Sequence, residues 1–338
     1  MAVRNIEYVE LYVGDAEPTV DYFVSAMGFR QVGGSAGDSE SSVVLRNGGV
    51  QLVITTGPAT HDFLDAHGDG VADIAMTCDD VGETVEAAVA VGASLIAGKP
   101  DTISVSGHGV ASHTLLPVAA EHRTQLPPGR SWESTPPPAQ APERIRYLDH
   151  VAICVQGDAL ADCADFYGAF GMPKYSGEYV DLINQAMNST VVRNSSGNVT
   201  FTLVAPDPAR GPGQLDAFLA RNGGPGVQHL AFGVDDIVAT VRQFRNRGVD
   251  FLRMPGGYYD VLGGRLKDLR ESIEDLRATH VLADRDDWGY LLQLFTRSPY
   301  ERNTLFFELI QRHGARGFGG ANIRALYEAV DRERMIAE

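Results

Sequence analysis

Three side chains in the second half of the chain have the types and setting of a metal site. His150 stands in Leu148-Asp-His-Val-Ala-Ile-Cys-Val155, His229 in Gly226-Val-Gln-His-Leu-Ala-Phe-Gly-Val234, and Glu308 in Thr304-Leu-Phe-Phe-Glu-Leu-Ile310. Each run is apolar and β-rich enough to read as a strand. Imidazole is the commonest ligand for iron, zinc and copper. A carboxylate inside an apolar run wants a cation, because burying it unpaired costs several kcal/mol. Two histidines and one carboxylate from three strands form the facial set that leaves open positions on a non-haem iron. Taken singly, none of the three is telling. A strand histidine is ordinarily a satisfied core residue, and Glu308 has Arg312 close by in sequence as an ion-pair partner.

The elements that carry these residues supply an internal control. Ile6 to Val13 alternates like a strand, a helix follows from Asp15 to Met27, and Gly28 ends it. Ser42 to Ile54 is a hairpin around Asn47-Gly-Gly. Gly70 to Met76 is a strand, Asp79-Asp80 an N-cap signal, and Val81 to Val91 a helix closed by Gly92. The pattern then returns. Leu148 to Val155 matches Ile6 to Val13, and a helix from Ala159 to Phe170 ends at Gly171. Ser189 to Val204 repeats the hairpin, Asp235-Asp236 repeats Asp79-Asp80, and Gly248 repeats Gly92. The chain is an internal duplication. Paired β-α-β-β-β modules that curl a sheet around a cavity give an α+β architecture. His150 takes the place of Tyr8 and His229 that of Asp73, so the first half lacks the ligands. The remaining histidines, His61, His67, His108, His113, His122, His280 and His313, show no such arrangement and are expected to be non-ligands.

Between the halves the composition shifts to Pro, Ser, Thr and Gln, with Pro127-Pro-Gly129 and Pro136-Pro-Pro138. The expected division is residues 1–126 as a domain without ligands, 127–144 as an extended Pro-rich linker, and 145–338 as the catalytic domain. The 338 residues carry 28 basic and 44 acidic side chains, a net charge of −16, which argues against nucleic acid and anionic membranes as partners. No apolar run reaches the roughly 18 residues of a membrane span, and the N-terminus lacks the layout of a signal peptide. Cys78, Cys154 and Cys163 are scattered without ligand spacing, as expected of reduced core thiols in a cytoplasmic protein.

The second half resembles the catalytic half of the 4-hydroxyphenylpyruvate dioxygenase family, in the vicinal-oxygen-chelate superfamily. The runs that carry the resemblance are Leu148-Asp-His-Val-Ala, Gly226-Val-Gln-His-Leu-Ala-Phe, Leu291-Leu-Gln-Leu-Phe-Thr, Phe306-Phe-Glu-Leu-Ile-Gln-Arg and Gly317-Phe-Gly-Gly-Ala-Asn-Ile-Arg. The resemblance implies Fe(II) held by His150, His229 and Glu308, with 4-hydroxyphenylpyruvate and O2 as reactants and an oligomer by family analogy. Two activities share the scaffold. One makes homogentisate; the other, 4-hydroxymandelate synthase, hydroxylates the benzylic carbon and implies a supply of hydroxyphenylglycine for antibiotic synthesis. Dioxygenases typically read Pro-Ile-Asn in the second hairpin strand and end Gly-Asn-Phe before the last helix. This chain has Thr202-Leu-Val204 and Ala321-Asn322-Ile323. With the run Ala186 to Val192, these departures lean to the synthase.

Ser189, Gln293 and Ile323 are therefore expected to bear on the reaction directly. Thr202 and Val204 are expected to shape the wall opposite Ile323, with Gln214, Gln228, Phe295, Phe318 and Asn322 around the substrate. The glycine-rich run Gly314 to Gly320 reads as a hinge, and a helix from Asn322 to about residue 334 as a lid. A homogentisate-forming dioxygenase, an extradiol dioxygenase and a metal-free small-molecule binder of the same superfamily are the alternatives.

Overall fold

Four copies of one β-α-β-β-β module build the computed structural model, which describes residues 3–96, 102–118, 125–136, 143–181 and 185–325. The first comprises β1 (Val3–Tyr12), α1 (Ala16–Asp21), β2 (Arg30–Ala36), β3 (Ser41–Asn47) and β4 (Val50–Thr56). A short α2 (His61–His67) leads to the second: β5 (Gly70–Cys78), α3 (Val81–Ala90), β6 (Ser94–Ile96), β7 (Ile103–Ser106) and β8 (Ser112–Pro117). After β9 (Glu133–Ser134) comes the third: β10 (Ile145–Cys154), α4 (Leu160–Gly168), β11 (Lys174–Asp181), β12 (Ala186–Arg193) and β13 (Thr200–Pro206). α5 (Gln214–Asn222) precedes the fourth: β14 (Gly226–Val234), α6 (Ile237–Asn246), α7 (Gly256–Arg265), α8 (Ile273–Thr279), β15 (Leu282–Asp286), β16 (Gly289–Phe295) and β17 (Phe306–His313).

The duplication extends to local detail. Asp80 and Asp236, the second residue of each Asp-Asp pair, cap α3 and α6 by accepting from the Glu83 and Ala239 amides at 2.9 Å. Gly92 and Gly248 follow these helices at φ +96° and +99°, a region that side chains with a Cβ rarely enter. Each half pairs the first strands of its two modules antiparallel, β1 with β5 and β10 with β14. Each first strand also takes the last strand of its own module in parallel. The β1–β5 ladder slips at Ile6/Tyr8 and Glu10/Leu11, and the β10–β14 ladder at the equivalent Leu148/His150 and Ala152/Ile153.

The second sheet runs β11-β12-β13-β10-β14-β17-β16-β15 and the first β6-β7-β8-β5-β1-β4-β3-β2-β9. One apolar core runs through both halves. Phe23 meets Phe307 edge-on at 5.2 Å, and His113 of β8 hydrogen-bonds the Tyr167 hydroxyl at 3.1 Å. The three cysteines are free and buried.

The Pro-rich segment differs from a plain tether. Within its described part, β9 adds to the edge of β2, and the Arg130 side chain, only 6% exposed, pairs with Glu10 and Glu40 at 2.7 Å each. Trp132 packs on the buried cluster of Tyr8, Val53, Ala75 and Leu116. The segment thus packs on the face of the first sheet that carries Tyr8 and Ala75. Its composition favours extended backbone but says nothing of where two long side chains dock.

Candidate metal centre and substrate cavity

The ladder registers put the three candidate ligands together. His150 on β10 lies opposite Ala231 on β14, and Ala231 lies opposite Glu308 on β17. His229 sits two residues before Ala231 and shares its face. The histidine Nε2 atoms are 3.4 Å apart, and each is 3.3 Å from Glu308 Oε2. Donors bonded at right angles to one ion at about 2 Å are separated by about 3 Å, so this near-equilateral triangle fits a single metal ion. Among the described residues it is the one group of three or more His, Cys, Asp or Glu side chains with converging donor atoms.

The ladder slips explain how the imidazoles are oriented. A bulge inserts a residue that the partner strand does not match. On β10 that residue is Asp149, and on β14 it is Gln228. Each flanks its histidine: His150 Nδ1 donates to Asp149 Oδ1 at 2.9 Å, and His229 Nδ1 to Gln228 Oε1 at 3.3 Å. With Nδ1 carrying the proton, each Nε2 presents its lone pair to the triangle. Asp149 in turn accepts two bonds from Arg312, at 2.7 and 2.8 Å. Arg312 is therefore the partner of Asp149 rather than of Glu308, and its alkyl and guanidinium plane lies over Phe318 at 5.1 Å.

Burial disfavours charge on all these groups, and their neighbours oppose it. For Glu308, burial is outweighed by the charges and hydrogen bonds of His150 and His229, which hold its carboxyl below the usual range. Burial works against protonating His150, but Glu308 and Asp149 lift it to about 9. Asp149 is likewise buried, yet Arg312 and His150 hold it well below the ordinary carboxylate range. His229 goes down, mainly through burial. A donor set that draws a proton into a dry pocket also favours a cation in its place.

The triangle opens on a cavity of about 470 Å³. Phe306 stacks on His229 at 4.9 Å, Phe295 approaches it edge-on at 5.9 Å, and Phe318 meets His150 edge-on at 5.1 Å. Ser189, Thr202, Val204, Gln214, Gln228, Gln293, Phe295, Phe318 and Ile323 all line this cavity with the three ligands. Ser189 Oγ donates to the Glu178 carbonyl at 3.2 Å, which leaves its lone pairs to accept. Ile323 packs on the cluster of Val204, Cys154, Met187 and Phe218, so Ile323 and Val204 form one continuous apolar surface rather than facing walls.

Asn322 departs from expectation. It is fully buried behind the cavity wall, accepts from the Tyr258 hydroxyl at 2.9 Å and donates to Gln293 Oε1 at 3.3 Å. It braces Gln293 instead of lining the substrate space. The final helix begins at Gly320, two residues before the expected start, and is described to Ala325; the rest of the expected lid lies outside the described residues. The strap leading to it needs one of its glycines. Gly319 sits at φ +74°, which side chains with a Cβ rarely adopt, and a Cβ there would meet the buried Gln293 Oε1 at 1.9 Å. Asp149, Glu178, Met187 and Phe306 escaped the sequence reading. For Asp149 the signal was its place directly before a ligand histidine.

Comparison with known proteins agrees with this geometry. Models of the Glyoxalase/Bleomycin resistance protein/Dioxygenase superfamily match residues 5–110 and 149–266, one in each half. The chain is 30% identical to the 4-hydroxyphenylpyruvate dioxygenase of Yarrowia lipolytica over 98% of its own length and 92% of that protein. It is 34% identical to that of Pyricularia oryzae over 81% and 71%. A solved triple mutant of 4-hydroxymandelate synthase from Streptomyces coelicolor superposes with a TM-score of 0.90 at 46% identity, covering 99% of this chain and all of that one. With likeness running through both halves and the ligand strands in register, the chain belongs to the 4-hydroxyphenylpyruvate dioxygenase family.

Proposed function

We propose that the protein is an Fe(II)-dependent 4-hydroxymandelate synthase, converting 4-hydroxyphenylpyruvate and O2 to 4-hydroxymandelate and CO2. The carrying observation is the His150–His229–Glu308 triangle at one end of a cavity whose walls present Thr202, Val204 and Ile323. The resemblance to the synthase from Streptomyces coelicolor supports the branch. Two imidazoles and one carboxylate suit Fe(II), and bound there the ion would supply the redox chemistry of oxygen activation and decarboxylation.

The chain's own residues govern where the oxygen goes. The substrate's 2-oxo acid belongs at the ligand end, because it is the chelating group. Its ring then lies among Phe295, Phe318 and Val204, and the ring hydroxyl is within the polar reach of Ser189, Gln214 or Gln293. Asp149 and Gln228 take the Nδ1 hydrogen bonds and so aim both Nε2 atoms at the triangle. The strap from Gly317 to Ile323, with Phe318 against His150, would keep bulk water from the ligand end of the cavity. Ring attack and benzylic attack differ by small displacements of the same bound molecule, and displacements near ~1 Å change rates about a hundredfold. A branched Ile323 against Val204 leaves the ring a different seat than a flat phenyl would. That seat presents the benzylic carbon.

The test is product identification after the Fe(II)-loaded protein turns over 4-hydroxyphenylpyruvate in air. The two candidate products have equal mass, so chromatography or fragmentation must separate them. 4-Hydroxymandelate is expected. Homogentisate would overturn the branch, and absence of oxygen uptake by iron-loaded protein would overturn the substrate.

A further inference from the structure

A second cavity, of about 410 Å³, lies on the other side of Phe318 from the ligand triangle. It sits in the seam between the halves, where Ile6 and Gly49 of the first face residues of β10, β12 and the strand-to-strap turn of the second. Its charge is unlike that of the molecule. The chain carries −16 overall, yet Arg146, Arg193, Arg312 and Arg316 line this cavity against a single carboxylate, Asp149. Arg312 is matched by Asp149, and Arg146 meets Asp235 at 3.1 Å on the rim. The Arg193 and Arg316 guanidinium groups have no carboxylate partner among the described residues. Arg193 rests on the Tyr175 ring at 5.1 Å and Arg316 on the Trp288 ring at 4.9 Å. The Arg193 Nε is buried without a hydrogen-bond acceptor.

A buried guanidinium N–H without an acceptor is costly, and a cluster of guanidinium groups in a partly enclosed space favours a planar or tetrahedral oxyanion held by paired N–H groups. The size is that of a small-molecule site. We propose that this seam is a binding site for a small oxyanion, a carboxylate or phosphate, held chiefly by Arg193 and Arg316, with Tyr147 and Phe318 against any apolar part. The site is distinct from the substrate cavity but shares a wall with it, since Phe318 and the Arg312–Asp149 pair face both His150 and the seam.

Inorganic phosphate and benzoate are the probes, titrated calorimetrically into the full-length protein at constant ionic strength set with chloride. One saturable site is expected for at least one probe, and which probe binds separates a phosphate-bearing ligand from a carboxylate. Arg193→Gln and Arg316→Gln are each expected to weaken it tenfold or more. Arg316 is exposed, so its variant keeps the test open even where Arg193→Gln folds poorly. Failure of both probes to saturate, or affinities unchanged in both variants, would overturn the proposal.

Discussion

Asp149 offers the sharpest perturbation of the metal centre, because it links two roles that can be separated. It orients His150 through Nδ1 and neutralises Arg312, whose side chain is 17% exposed. Asp149→Ala removes both. Loss of such an orienting carboxylate typically weakens metal binding by about 10- to 100-fold, or about 1.4–2.7 kcal/mol. Leaving Arg312 buried and unpaired adds a folding cost of about 3–5 kcal/mol, a large share of the roughly 5–15 kcal/mol that holds a domain together. The double variant Asp149→Leu with Arg312→Met removes the stranded charge. It should recover most of the stability in urea titrations of metal-free protein. It should not recover metal affinity, measured by competition with a chromophoric chelator, since His150 still lacks its acceptor. A double variant that binds metal as tightly as wild type would show that the bulge does not position His150.

Ala231 lies in the row between His150 and Glu308, so Ala231→Val should overpack the floor of the triangle, costing about 1–3 kcal/mol and at least tenfold in metal affinity, while Ala231→Gly binds normally; equal affinities in both would count against the register. Ile323→Phe should shift the product mixture toward homogentisate, read by chromatography; an unchanged mixture would remove Ile323 from the specificity argument. Burial holds His113 at about 4, down from 6.5. As pH falls, the unfolded chain therefore takes up this proton first. The contribution is whole above pH 6.5 and lost between 6.5 and about 4, amounting to at most ~3 kcal/mol. Wild type should lose stability relative to His113→Leu in urea titrations as pH falls through that window, and a constant difference would refute it.

The ligands and the module order were legible because the chain repeats itself. Tyr8 and Asp73 served as blanks against which His150 and His229 stood out, and the repeated Asp-Asp and glycine signals mark real caps and helix ends. Bulges were not legible. One extra residue in a ladder leaves no compositional mark, so Asp149 went unread and Arg312 was matched to Glu308 by proximity in sequence. Asn322 shows the same limit on a helix: its type suits a substrate contact, but the turn beginning at Gly320 rotates it toward Tyr258. The helices α7 and α8, between α6 and β15, lie in an insertion that the repeat does not cover, and so had no template.

The packing of Arg130 and Trp132 on the first sheet bears on how two halves of a duplicated chain diverge. The equivalents of the three ligands, Tyr8, Asp73 and Thr114, are still neighbours, and Arg130 lies within electrostatic reach of Tyr8. With Glu10 and Glu40 around it, that guanidinium is a counter-ion tethered to the backbone, present at fixed stoichiometry and independent of metal supply. Converting Tyr8 and Asp73 to histidine and Thr114 to glutamate would rebuild the donor types beside a guanidinium already held by Glu10 and Glu40, whose positive charge opposes a second cation nearby. Restoring the ligands alone would leave that positive charge in place, which makes the division of labour between the halves hard to undo by point mutation.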